Sequence, residues 1–158
     1  MRALIQRVLW AEVELGGEVV ARIDRGLLVY LGIARDDDAS RARWLAEKVS
    51  MMRIFEDQQG KMNLAVGDAQ GGVLAVPNFT LLADARKGRR PAFTAAAPPE
   101  IAKPLFEAFA KALHQTGLPV ALGVFVGDMT IRSAADGPVN IILDSLASGD
   151  AAGLPKTF

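Results

Sequence analysis

Apolar and polar residues alternate with period two along Ala11-Glu12-Val13-Glu14-Leu15, the pattern of a strand with one covered face. Gly16-Gly17 marks a hairpin turn, and strand character resumes from Glu18 to Ile23. The run from Leu27 to Ile33 is apolar at successive positions, which predicts a central strand covered on both faces. The period then changes. Asp36-Asp37-Asp38 offers N-cap and first-turn acids for a helix, and Ala42, Leu45, Val49 and Met52 fall on one face of it.

Arg53-Ile54-Phe55 leads into a polar turn at Asp57 to Gly60, and a glycine-bearing turn from Gly67 to Gly72 precedes the apolar run Val73 to Val76. Pro98-Pro99-Glu100 opens a second long helix, with Ala102, Leu105, Phe106, Phe109 and Leu113 on its inner face and Gly117 as its stop. Strands are predicted near Val120 to Val126, Met129 to Ser133 and Val139 to Leu143. Past Ser145 the composition turns to Ala, Gly, Ser and Pro, so one domain over residues 1–145 is expected, followed by a loosely held tail over 146–158. Many strands, two main helices and no strand–helix–strand alternation predict an α+β fold, its sheet curled toward a barrel.

Composition narrows the chemistry. The chain has 158 residues, 51% hydrophobic and 23% charged, enough for one folded domain with its own core. Eighteen cations balance eighteen anions, so an electrostatic partner must be met by a local patch and not by a global field. There is no cysteine, which excludes disulfides, thiolate catalysis and cysteine metal sites. The single histidine, His114, falls in the last turn of the second helix, where a helix-end role is the ordinary one. Neither a Ser-His-Asp triad nor an ordinary zinc site is then expected, and no metal or cofactor is called for. Gly-Gly at 16–17 and at 71–72 lacks the Lys and Ser/Thr of a phosphate loop. The N-terminal residues do not have the pattern of a signal peptide, and no stretch approaches ~20 apolar residues. A cytoplasmic protein with no membrane partner is expected.

Two stretches hold candidate chemistry. In residues 76–93, V-P-N-F-T-L-L-A-D-A-R-K-G-R-R-P-A-F, the segment from 84 to 90 sets Arg86, Lys87, Arg89 and Arg90 against only Asp84. A solvated surface loop is one reading of such a run. A glycine-hinged loop just after a polar strand end, Asn78 and Thr80, that grips a phosphate backbone beside a reactive site is the other. Lys61, Met62 and Asn63 are expected close by, with Met62 as core filler. The second stretch is Asp136-Gly137-Pro138-Val139-Asn140. A turn feeding a strand is its ordinary reading. An X-Pro bond is also the one peptide bond that readily turns cis, so the pair could instead present two backbone carbonyls to a ligand.

Six separated motifs, in order, carry a resemblance. They are A-L-I-Q-R-V at 3–8, G-L-L-V-Y-L-G at 26–32, R-I-F-E-D-Q-Q-G-K-M-N-L at 53–64, F-T-L-L-A-D at 79–84, G-R-R-P-A-F at 88–93 and D-G-P-V at 136–139. Over residues 1–145 the chain resembles the D-aminoacyl-tRNA deacylase family. The resemblance implies a hydrolase that cleaves the ester of D-aminoacyl-tRNA, and of mischarged Gly-tRNA, without a cofactor. It implies a homodimer with active sites at the subunit interface, each taking an aminoacyl-tRNA 3′ end. The family's Ser-Gln-x-Thr motif falls on Pro77, Asn78, Phe79 and Thr80. Its Asn-x-Gly-Pro-x-Thr motif falls on Ala135 to Asn140.

By the same resemblance Asn78, Phe79, Thr80 and Asn140 are the candidate catalytic residues. Backbone N–H groups near Phe79 and Thr80 would hold the oxyanion, and the ribose 2′-OH would help activate water. A cis Gly137-Pro138 pair entering the partner's pocket would exclude L substrates, with Arg7 locking its loop and Met129 and Pro77 lining the pocket. Arg86, Lys87, Arg89 and Arg90 would hold tRNA. Pro77, Asn78, Ala135 and Asn140 depart from the family's Ser, Gln, Asn and Thr. Those departures motivate two alternatives: a deacylase of relaxed or shifted chirality, and an RNA-binding member of the fold with impaired turnover.

Overall fold

One strand organises the sheet in the computed structural model, which describes residues 1–86 and 88–145. β1 (Arg2–Leu15) pairs antiparallel with three other strands. Its residues 2–8 meet β3 (Gly26–Gly32), and its residues 11–15 meet β2 (Glu18–Ile23). β8 (Met129–Asp144) runs along both of these stretches, so it occupies the opposite edge of β1. β3 continues the sheet to β6 (Gly72–Pro77), and β6 to β7 (Val120–Leu122). β2 returns against β6 and β7, and the sheet rolls nearly closed.

The α+β fold with a curled sheet and two helices is as expected, but its crossovers are not. β3–β6 and β6–β7 are parallel pairs. Parallel neighbours cannot be joined by a hairpin, so each connection carries a helix back across the sheet. α1 (Ala39–Met51) lies between β3 and β6, and α2 (Pro99–Gln115) between β6 and β7. A small separate sheet holds β4 (Phe55–Glu56) and β5 (Met62–Leu64).

The rolled sheet buries both of its faces. Leu27, Val29 and Leu31 point with Ile5, Val73 and Ala75 toward the helices, where Leu45 and Val49 of α1 and Phe106, Phe109 and Leu113 of α2 cover them. Leu28 belongs to the other face, inside the roll, with Val8, Val13, Ile23, Leu74 and Val76. β3 reads as an unbroken apolar run for that reason: each of its alternating sides has a core of its own.

The three aspartates before α1 divide their roles. Asp38 is the N-cap, its carboxylate accepting from the amides of Ser40 at 2.8 Å and Arg41 at 2.9 Å. None of the three lies in the first turn, contrary to expectation. Asp37 is buried instead, accepting from the Met1 amino group at 2.5 Å, the Ala34 amide at 2.7 Å and Arg41 at 3.1 Å. Met52, expected on the inner stripe, is the C-cap and only half-buried.

The last third corrects the predicted strands. The apolar run after Pro119 is a short strand, β7, followed by a turn at 124–127. The two strands predicted on either side of Gly137-Pro138 are one, since β8 pairs with β1 before and after the dipeptide. The expected tail, 146–158, lies outside the described residues, as does Lys87. Among the described residues no helix is long and apolar enough to cross a membrane.

Candidate active site

β6 ends at Pro77, and the chain turns at once into a short 3-10 helix, Phe79–Leu82, capped by Asn78. The Asn78 amide donates to the Leu31 carbonyl at 2.8 Å, which ties the turn to β3. Its side-chain oxygen accepts from the Thr80 amide at 3.0 Å and also from the Thr80 hydroxyl. Short polar side chains cap turns in this way, by supplying an acceptor two residues back. The first N–H of a helix has no acceptor within the helix, and that of Phe79 meets none among the described residues. Of the two amides expected to serve as donors, Phe79's is open and Thr80's is engaged by Asn78.

Two cavities flank this turn. The first, about 360 Å³, is walled by Leu31, Phe79, Phe93, Ala102, Phe125 and Val126. Phe79 and Phe93 meet edge to face, with centroids 5.1 Å apart. The second, about 300 Å³, is lined by Tyr30, Asn78, Asp128, Met129 and Ile131. Burial pushes the Tyr30 phenol above its ordinary pKa. Pro77, Asn78, Phe79 and Val126 border both spaces. Thr80 lines neither, and its hydroxyl is turned onto Asn78. The walls are mostly apolar, with the open Phe79 amide at their shared border, so the site suits a neutral ester whose carbonyl oxygen becomes charged on attack. Among the described residues no three His, Cys, Asp or Glu side chains gather as for a metal ion.

Gly137-Pro138 lies elsewhere on the chain, in a bulge of β8. Gln6 pairs with Asn140 and Val8 with Ala135, so the single residue Arg7 faces four residues, 136–139. The Gly137-Pro138 bond is cis. Arg7 is only 5% exposed. Its guanidinium donates to the Ile54 carbonyl at 2.6 Å and to the Asp136 carbonyl at 3.2 Å, and pairs with the Asp136 carboxylate at 3.1 Å. On the far side of the bulge the Gln6 amide donates to the Asn140 side-chain oxygen at 2.8 Å. Gly137 has a φ of +121°, and a Cβ there would stand 2.9 Å from Cγ2 of Val139. Arg7, Gly137 and Pro138 are thus brought together. Gly137, Pro138 and Asn140 line neither cavity of their own chain, whereas Met129 and Pro77 do.

The basic loop is closed at its neck by a two-way bridge, the amides of Asp84 and Ala92 donating to each other's carbonyls at 2.7 and 2.9 Å. Arg86 is exposed but already paired. Its guanidinium forks onto Asp84 at 2.9 and 2.7 Å, and these bonds, with the Arg86 amide, hold the Asp84 carboxyl well below the usual carboxylate range. Arg89 and Arg90 are exposed and make no ion pair among the described residues. The expected neighbours of the loop lie apart from it. Asn63 takes Arg53 in a separate cleft with Glu47 and Asp68, and Met62 is 53% exposed, so it is not core filler.

Tyr30, Phe93, Phe125 and Val126 were not legible as site residues. Tyr30, Phe125 and Val126 sit in apolar stretches whose pattern speaks only of core or strand, and Phe93, which closes the G-R-R-P-A-F motif, was given no role of its own. Asp136 and Gln6 fall inside quoted motifs, but their pairings with Arg7 and Asn140 were not legible, since the partners lie more than a hundred residues apart.

A model of the D-Tyr-tRNA(Tyr) deacylase family matches residues 4–144. The chain is 57% identical over 145 residues to the D-aminoacyl-tRNA deacylase of Anaeromyxobacter dehalogenans, covering 92% of this chain and 97% of that one. It is 52% identical to the D-aminoacyl-tRNA deacylase of Thermus aquaticus, with 92% and 95% covered. Among solved structures it is similar to the c-Myc DNA Unwinding Element Binding Protein, with a TM-score of 0.87 and 37% identity over 93% of this chain and 100% of that one. A probable eukaryotic D-amino acid tRNA deacylase shares the fold at a TM-score of 0.77 and 17% identity, over 90% of this chain and 97% of that one. A family match across nearly all of the described residues, with relatives above half identity, makes this chain a member of the D-Tyr-tRNA(Tyr) deacylase family.

Proposed function

We propose that the protein hydrolyses the ester joining a D-amino acid, or glycine, to the 3′ end of tRNA, and so removes mischarged residues in the cytoplasm before they enter translation. The observation that carries this reading is family membership across residues 4–144, with an unpartnered Phe79 amide between two cavities. Water attacks the ester carbonyl carbon, assisted by the neighbouring ribose 2′-OH. The carbonyl oxygen becomes an oxyanion and accepts the Phe79 N–H. Collapse of the tetrahedral species breaks the bond to the ribose oxygen, which leaves with a proton, releasing free amino acid and tRNA. The scheme asks no hydroxyl of the enzyme to act as nucleophile. Thr80 and Asn78 shape the turn that presents the amide, and the departures at Pro77 and Asn140 leave that amide in place.

Chirality is set by a second copy of the chain. Gly137 and Pro138 lie outside their own chain's cavities, so they serve a site only across a dimer interface. In a two-fold dimer each bulge enters the partner's site, and its backbone walls off an L side chain. Arg7 sets the bulge from beneath. Arg89 and Arg90 hold the tRNA backbone.

The test compares hydrolysis of D-Tyr-tRNA, L-Tyr-tRNA and Gly-tRNA by the same preparation. The first and third are expected to be hydrolysed and the second spared. Equal hydrolysis of L-Tyr-tRNA would remove the filter, and hydrolysis of none would remove the enzyme. Light scattering at micromolar concentration should report a dimer, and a clean 16.8 kDa monomer would contradict the shared site.

A further inference from the structure

We propose that Val126 is a specificity-determining residue, held in an unfavourable backbone conformation so that its side chain forms the lip between the two cavities. The inference rests on reading those cavities as the substrate site. It starts from a turn. The Gly127 amide donates to the Val124 carbonyl at 3.3 Å, which makes Val126 the third residue of a four-residue turn. Its φ is +62°. Turns with positive φ at the third position take Gly or Asn there, because a Cβ crowds the backbone and a β-branched one crowds it most. Among the described residues only Gln70 shares this condition, and Gln70 is unbranched and lines neither cavity.

Nothing in the packing favours a valine at this place. The residue is 80% exposed, so burial contributes almost nothing to keeping it. Strained residues persist where the surroundings over-determine them, and they gather at functional sites. Here the location supplies the reason. Val126 borders both the apolar cavity of Phe79, Phe93 and Phe125 and the more polar one of Asn78, Asp128 and Met129. Its isopropyl group stands where the two spaces meet over the turn that presents the Phe79 amide. A glycine there would lower the border that Val126 shares with Pro77, Asn78 and Phe79. The lip therefore limits how large an acyl side chain can lie across that amide, acting on the size of the amino acid and not on its hand.

Two variants separate bulk from strain. Val126→Gly removes both, so its Tm should rise by about 2–4 °C. Its ratio of kcat/KM for D-Trp-tRNA over D-Ala-tRNA should rise about tenfold, the effect of a methyl group or two in a binding wall. Val126→Ala removes the bulk but keeps a Cβ at positive φ. It should move the ratio in the same direction with a smaller rise in Tm. An active wild type whose ratio is unchanged in both variants would overturn the lip. A Val126→Gly Tm at or below that of the wild type would overturn the strain. A variant that turned monomeric with its ratio unchanged would assign the side chain to an interface and overturn the proposal too. A wild type inactive on both esters would instead sink the deacylase reading, and this proposal with it.

Discussion

The bulge of β8 and the basic loop are both irregular segments, and they are held in opposite ways. The bulge at 136–139 is fixed from a distance: Arg7, buried beneath it, ties Asp136 to Ile54, and Gln6 ties Asn140. The basic loop is fixed locally. Asp84 bridges Ala92 across its neck and takes Arg86 two residues on, all near the surface. A buried cation with two kinds of acceptor over-determines its neighbours, because leaving either acceptor unpaired is strongly unfavourable. An exposed ion pair screened by water contributes little to stability. Backbone held by a buried hydrogen-bonded cation suits a stereochemical wall, and exposed charge suits a polyanion of variable shape.

That contrast can be broken most forcefully at Arg7. Arg7→Ala leaves the Ile54 carbonyl and the Asp136 carboxylate without their shared donor. The expected loss is about 2–3 kcal/mol, below the fully buried case because Asp136 keeps some solvent, and Tm should fall by about 5–10 °C. Hydrolysis of D-Tyr-tRNA should fall with it. Arg7→Lys should not restore either, since a compact ammonium lacks the planar fork whose separate nitrogens reach Ile54 and Asp136. Thermal melts beside the deacylation assay check this; an unchanged Tm would return the bulge to local control.

A smaller effect is expected from a methyl group. Gly137→Ala places a Cβ 2.9 Å from Val139 Cγ2 and 3.0 Å from its amide nitrogen, at a φ of +121°. The bulge must shift, at about 1–2 kcal/mol, and activity on D-Tyr-tRNA should drop at least about tenfold. Gly88→Ala is the control in the basic loop. There φ is +72° with nothing within 4 Å, so the cost is the αL conformation alone and activity should hold. Equal losses at both glycines would erase the distinction.

Charge deletion in the basic loop should change stability least. Arg89→Ala with Arg90→Ala should leave Tm unmoved and flatten the salt dependence of tRNA binding, by about 0.7–0.9 log units per log salt for each phosphate no longer neutralised. Arg86→Ala should flatten it less, because Asp84 already neutralises that side chain. Titrating binding against salt for these variants decides the order.

The elements legible in the sequence were those whose cause is local. Period-two alternation marked the last third of β1, the run after Gly16-Gly17 marked β2, the doubly apolar run marked β3, Asp36 to Asp38 marked the approach to α1, and Pro98-Pro99-Glu100 and Gly117 bounded α2. The motifs marked Pro77 to Thr80 and the Gly-Pro pair as a site. Other features depended on partners far away in the chain. That the segments around Gly137-Pro138 form one strand follows from their shared pairing with β1, which no short window contains. Parallel pairing through α1 and α2 is equally non-local. Thr80 looked like a free hydroxyl until the cap at Asn78 claimed it, and Arg86 like a free cation until Asp84 did. Val126 looked like one more strand residue. Residue type and spacing alone determined which groups this protein carries and where its regular elements begin. Tertiary structure decided which of those groups remain open, because a hydrogen-bonding group is available to a substrate only when no neighbour has already taken it.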